Sequence, residues 1–309
     1  MMLKILRKRD YAFNFIGQRR WGYAFSIIMI VVAAVSMAVR GLNYSIDFNG
    51  GVLVEAESAA PVDMEALREQ LSSLRDVSIQ SVGAAGKGVL IQTQPQEDET
   101  AESVVAKIKA TLGGDYTYNQ VEVVGPTIGQ ELKTKSLIAS ILALLAIAVY
   151  IWFRFEWPFA IGCLLSLAHD LFIVMGLFAL FQIEFDMIVV AGLLSLAGYD
   201  CNDTIVTYDR IRENLRKFRK MPADDILNKS VNETLSRTIL TAFTTFFSVL
   251  ILLAVGGETL RGFSIALVLG VVFGTYSSIY IAAPVLRLFD IRGVGANAEP
   301  DFNKTNRAS

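Results

Sequence analysis

Two aspartates three residues apart, Asp200 and Asp203, stand inside the stretch LAGYDCNDTIVTYDRIREN (residues 196–214), which begins like a membrane span. An acid at the middle of a bilayer costs about 2.5–3.5 kcal/mol on insertion scales. Such a residue needs a counter-charge, a wet cavity or a proton to carry. At positions i and i+3 the two acids share one helical face. Asn202 adds an amide and Thr204 a hydroxyl at neighbouring positions. Arg237 opens a later apolar run from the same side, so that Asp203 and Arg237 are expected to meet at similar depth. One reading is a structural ion pair between two helices, held charged by the guanidinium. The other is a titrating site, since two acids facing one cation leave a charge uncompensated, as proton carriage requires. A second group, His169 and Asp170, sits halfway along the apolar run 158–181. As sequence neighbours they are expected to point to different faces. His169 is then either a satisfied packing residue or, with Asp170, part of a second relay.

These groups need helices to hold them. The chain of 309 residues is 53% hydrophobic, with a mean hydropathy of +0.46. Soluble domains average roughly 45–50% apolar. Six runs are long enough to cross a hydrocarbon core as helices: 21–39, 136–153, 158–181, 187–208, 237–256 and 263–289. Basic loops stay on the cytoplasmic side. Lys4, Arg7, Lys8, Arg9, Arg19 and Arg20 precede the first span, in a cytoplasmic N-terminus of residues 1–20. The loop 209–236 holds Arg210, Arg212, Arg216, Lys217, Arg219 and Lys220, while the loop after residue 181 has acids and no base. Both termini are therefore expected inside, the second as a tail of residues 290–309. The basic start of the chain has no apolar core ahead of the first span, so no cleavable signal peptide is expected.

Residues 41–135 then form one extracytoplasmic domain. GVLVEAE alternates like a strand, VDMEALREQLSSL has a helical period, and VSIQSVG and GVLIQTQ are strands parted by a Gly-rich turn. ETAESVVAKIKATLG reads as a helix and YNQVEVVG as a last strand. The order is βαββαβ, the ferredoxin-like arrangement. This segment holds 14 Asp and Glu against 7 Lys and Arg. Its acidity serves solubility or the handling of a basic or unfolded partner. In the last span Ala266, Gly270, Gly274 and Ser278 recur at every fourth position, a stripe that admits another helix closely. The stretch DRIRENLRKFRKMPADDI reads as a basic amphipathic helix lying on anionic lipid.

Several chemistries are excluded. Two cysteines within apolar runs and a single histidine offer no disulfide framework and no metal cluster, so no metal or cofactor is expected. No GxSxG or P-loop pattern occurs. An intramembrane aspartyl protease would need a second acid in a GxGD tetrapeptide, which is absent.

The segments GLNYSIDFNGGVLVE, VEVVGPTIGQEL, VYIWFRFEW, LAHDLF and NDTIVTYDRIREN, in order and in register over residues 20–290, resemble the SecF family, within the resistance–nodulation–division superfamily. The resemblance implies a polytopic α-helical protein of six spans, with the ferredoxin-like α+β domain after the first. It implies assembly with SecD, association with the SecYEG channel and YajC, and use of the proton motive force to draw preproteins outward. It implies no enzyme activity, no nucleic-acid partner and residence in a bacterial inner membrane. The family's proton-path aspartate maps to Asp203, and its partner arginine to Arg237 in SRTIL. One departure concerns the site itself: where the family usually reads GYS[LI]ND, this chain reads GYDCND. Asp200 either extends the relay outward or tunes Asp203. A half-unit of another exporter of the superfamily remains the alternative.

Overall fold

The computed structural model describes residues 13–83, 86–96, 99–289 and 291–292. Lys4, Arg7, Lys8 and Arg9 of the expected basic N-terminus, and most of the tail 290–309, lie outside the described residues.

Helix α1 (Phe15–Val39) starts at Asn14, whose side chain accepts from the Gly17 amide. A turn region follows, with the short strand β1 (Asn43–Tyr44) and a single helical turn α2 (Ile46–Asn49). The chain then builds β2 (Gly51–Ser58), α3 (Met64–Gln70), β3 (Arg75–Val82), β4 (Gly88–Gln94), α4 (Ala101–Leu112) and β5 (Tyr116–Val124). Asp63 and Thr100 cap the two helices by accepting their first free amides, as short polar side chains do at helix starts. The strands form one antiparallel sheet in the order β3–β4–β2–β5. Alternation along each strand sends Val52, Val54, Ala56, Val89 and Ile91 to one face, where Leu67, Leu71, Val104 and Ile108 cover them. The opposite face carries Leu53, Glu55, Gln80, Leu90, Gln120 and Glu122 and lines, with Glu184, Asp186 and Glu258, a cavity of about 430 Å³.

Helix α5 (Pro126–Arg154) follows Gly125 directly. It begins well ahead of the expected residue 136, because Pro126 is pre-set for the first helical position and nothing interrupts the helix before the apolar run. Helix α6 (Trp157–Phe181) leads through β6 (Glu184–Phe185) into α7 (Met187–Lys217) and α8 (Ala223–Val255). Strand β6 pairs in parallel with β1, joining the two halves of the molecule. The expected basic loop 209–236, and the surface helix within it, are corrected here. Both long helices continue past the apolar runs, and only residues 218–222 are non-helical. The basic sequence keeps a helical period, and ion pairs such as Arg210–Glu233 lace the hairpin, so the chain has no reason to turn sooner.

A 3₁₀ turn (Glu258–Leu260) precedes α9 (Arg261–Ser277), which passes into a π-helical turn (Ser278–Ala282) and then a short helical stretch with Pro284. Five helical runs are long and apolar enough to cross a membrane among the described residues: α1, α5, α6, α8 and Glu258–Leu288. Helix α7 is not among them, since Tyr199, Asp200, Asn202 and Asp203 interrupt its apolar half and charges fill the rest.

The bundle core joins Phe159, Cys163 and Leu167 of α6 to Ala197, Cys201, Tyr208 and Ile211 of α7. Helix α1 meets α6 where Gly176 lies against Ala33. The outer domain is anchored where Gly50 (φ +74°) and Gly51 (φ +144°) turn the chain between α2 and β2. A Cβ on Gly50 would sit 2.8 Å from Pro126 Cα, and one on Gly51 2.7 Å from the Thr93 carbonyl oxygen. Only glycine fits both the left-handed backbone and the crossing.

Candidate functional site

The polar residues of the bundle fall on two sides of α7. That helix starts cleanly because the Asp186 carboxylate accepts the Val189 amide at 2.6 Å. Its 3.6-residue period turns Leu193, Leu196, Ala197, Asp200, Thr204 and Thr207 inward.

On the inner side, Asp200 is 1% exposed and Asp170 of α6 is fully buried. Asp170 Oδ1 lies 2.8 Å from His169 Nδ1 in a hydrogen bond, and Oδ2 accepts from the Ser277 hydroxyl at 2.5 Å. Ser166 donates to Ser277 at 3.0 Å. The other nitrogen of His169 lies 3.1 Å from the Ser26 hydroxyl, which meets the Tyr276 hydroxyl at 2.9 Å. Tyr276 also reaches the Gly22 carbonyl at 2.5 Å. A continuous polar chain thus runs from α6 and α9 to α1. The expectation that His169 and Asp170 diverge is therefore corrected: backbone directions differ, but the two side chains fold back far enough to bond.

The small-residue stripe seats this cluster. Ala266, Gly270, Gly274 and Ser278 are buried on the side of α9 that meets α7. A Cβ on Gly270 would overlap Leu196, and one on Gly274 would lie 2.8 Å from Asp200 Oδ1. The π turn follows at once, a local widening that recurs at functional positions. Tyr208 donates to the Ala282 carbonyl within it at 2.9 Å.

On the other side, Asp203 is half-buried and accepts from the Thr238 hydroxyl of α8 at 2.9 Å. Arg237, the expected partner, is exposed, and no ion pair within 4.0 Å joins it to Asp203. Consecutive helical residues point about 100° apart, so turning Thr238 inward swings Arg237 to the rim. Its charge still acts on Asp203. Asn202 is likewise exposed, one residue off the inward face. The structure thus joins His169 to Asp170, buries Asp200 against Gly274 of α9, gives Asp203 a hydroxyl, and leaves Asn202 and Arg237 outside both groups. Ser26, Ser166, Tyr276, Ser277 and Thr238 were not singled out from the sequence. Only the fourfold spacing that marked Ser278, next to Ser277, pointed near them.

Outside the spanning segments, Glu184 links the two halves. Gln92 of the outer sheet donates to it, and the Met187 amide donates to Asp47 at 3.1 Å. Burial pushes the Glu184 carboxyl up from its ordinary value, against the hydrogen bond from Gln92. Burial likewise raises Asp186. In the α7–α8 hairpin, burial of Glu233 is outweighed by hydrogen bonds from Arg210, Asn214 and Lys229, which hold its carboxyl down at about 2.

Long apolar helices with carboxylates buried among them and one α+β domain define a polytopic membrane protein. Two family models match, "Protein export membrane protein SecD/SecF, C-terminal" over residues 104–292 and "SecD/SecF GG Motif" over residues 35–62. The latter contains Gly50 and Gly51. The Protein translocase subunit SecF of Pseudomonas aeruginosa is 43% identical over 276 residues, covering 88% of this chain and 90% of that one. That of Vibrio alginolyticus is 40% identical, covering 87% and 88%. The Protein translocase subunit SecDF of Brucella abortus is 39% identical over 86% of this chain, but only 36% of its own length is covered. A crystal structure of SecDF, a translocon-associated membrane protein from Thermus thermophilus, superposes with a TM-score of 0.82 at 36% identity, over 90% of this chain and 39% of that one. A super-membrane-facing form of SecDF gives 0.68. The chain belongs to the SecD/SecF family.

Proposed function

We propose that this chain is the smaller membrane subunit of a SecD–SecF complex that uses the proton motive force to assist preprotein translocation through the SecYEG channel, with YajC as a further partner. In this reading α7 is the fourth of six spans, both termini are cytoplasmic, and the ferredoxin-like domain of residues 41–135 stands outside an inner membrane. The relatives are named as translocase subunits, which favours transport over catalysis. The match of 86–90% of this chain to little more than a third of longer SecDF chains favours SecD as the remainder.

The observation that carries the reading is the outward face of α7. Ala191, Ser195, Gly198 and Asn202 are exposed there, beside the half-buried Asp203 and the exposed Arg237. Small and polar side chains at this depth suit another helix packed closely, not lipid. SecD completes that face, and Asp203 carries the proton between the two chains. A purely structural Asp203–Arg237 pair is disfavoured by the absence of an ion pair between them. Each charge crossing 100 mV releases about 2.3 kcal/mol, enough to bias helix packing and shift the outer domain across its glycine junction.

The test is preprotein translocation in inverted vesicles carrying this chain and its SecD, with and without a proton gradient. Asp203→Asn is expected to remove only the gradient-dependent part. If both parts survive, Asp203 is structural and the reading fails.

A further inference from the structure

Asp200 poses a problem of charge. It is buried, and neither of its carboxylate oxygens has a donor among the described residues. An isolated ionised carboxylate so placed costs several kcal/mol even after relaxation. The charged group acting most directly on it is another acid, Asp170, buried beside it on α6 and tied to the same helix α9 that crosses Asp200 at Gly274. Two ionised carboxylates only accept, so such a contact is a bond only when one of them carries a proton. The surroundings decide which. Asp170 already accepts from the Ser277 hydroxyl, and His169 Nδ1 at 2.8 Å donates to it as well in the Nδ1–H tautomer, so Asp170 is supported as the charged member. Asp200 has none.

We propose that Asp170 and Asp200 share a single proton, carried by Asp200 and donated to Asp170, forming a proton-binding site inside this one chain and distinct from Asp203. The groups facing the pair come from every packed element. They are His169 and Cys163 from α6, Tyr199, Asp203 and Tyr208 from α7, and Tyr276 from α9. Helix α1 contributes only the Ser26 hydroxyl, behind His169. From α8, Arg237 acts on Asp203. No Lys or Arg faces the pair among the described residues. Loss of the proton would therefore set two negative charges in contact without a counter-ion, at the crossing where Gly274 lets α9 approach Asp200. Separation of α7 from α6 and α9 relieves that repulsion, so occupancy of the site is tied to how tightly these helices pack.

The use of this site in transport rests on the proposed proton coupling; the shared proton itself rests on the geometry. The test is infrared spectroscopy of the full chain in lipid at neutral pH, read in the carbonyl stretch of protonated carboxyl groups with H₂O–D₂O exchange. The wild type is expected to show an exchange-sensitive band that is lost in Asp200→Asn and kept in Asp203→Asn. Asparagine keeps the shape of the residue and a donor towards Asp170, and Asp200→Ser gives a second loss of the band. A wild type without the band, or a band unchanged in Asp200→Asn, overturns the proposal. Translocation plays no part in this readout, so failure of the gradient assay would leave its result standing.

Discussion

The two faces of α7 differ in what they lack. The inner face is closed: Asp200 and its neighbours are buried among α6 and α9, and the polar chain from Asp170 to Tyr276 finds its partners within the polypeptide. The outer face is open, with Gly198 and Asn202 exposed and Asp203 half-buried, accepting from the Thr238 hydroxyl of α8. Two glycines condense the contrast. A Cβ on Gly274 of α9 would press into Asp200 at 2.8 Å, whereas one on Gly198 would meet nothing within 4 Å. The lesson is that one helix serves a finished core and an unfinished interface at once, and that its two carboxylates answer to different partners.

That difference can be broken at each glycine. Gly274→Val overpacks the closed side and should cost about 1–3 kcal/mol, read as a lowered thermal midpoint of the purified chain. An unchanged midpoint would mean that α9 is free to retreat from Asp200. Gly198→Leu should leave that midpoint within about 0.5 kcal/mol of wild type. It should nevertheless weaken copurification with SecD roughly tenfold, about 1.4 kcal/mol. Loss of stability without loss of SecD would close the face that is here read as open.

The smallest effect belongs to neither face. A carboxyl whose value is raised in the folded state adds stability at pH below its unfolded value, and that contribution fades as pH rises through the raised value. Burial raises Glu184 in this way, so the β1–β6 contact should loosen as pH climbs from about 4.5 towards neutrality. Glu184→Gln should weaken the pH dependence of amide-exchange protection of residues 43–44 and 184–185 over that range, leaving the part due to Asp186. The change expected is under about 1 kcal/mol.

Much of this architecture was legible in residue order. Alternation in GVLVEAE and the capped helical segments announced the outer sheet, and the fourfold small-residue spacing marked the side of α9 that meets α7. What escaped depends on partners distant in sequence. The choice of Thr238 over Arg237 for Asp203 turns on the rotation of α8, which no local pattern encodes. The fold-back of His169 onto Asp170 is a side-chain conformation fixed by Ser26 and Ser277, which come from two other helices. The extension of α7 and α8 into a hairpin was hidden because hydropathy ends where the membrane does, while the helical period does not.

The central claim is that protons cross at Asp203. The most direct measurement is proton flux into proteoliposomes holding this chain with its SecD under an imposed gradient, followed by an internal pH-sensitive dye. Flux is expected in the wild type and should be abolished in Asp203→Asn while the complex stays assembled. Equal flux in both would contradict it.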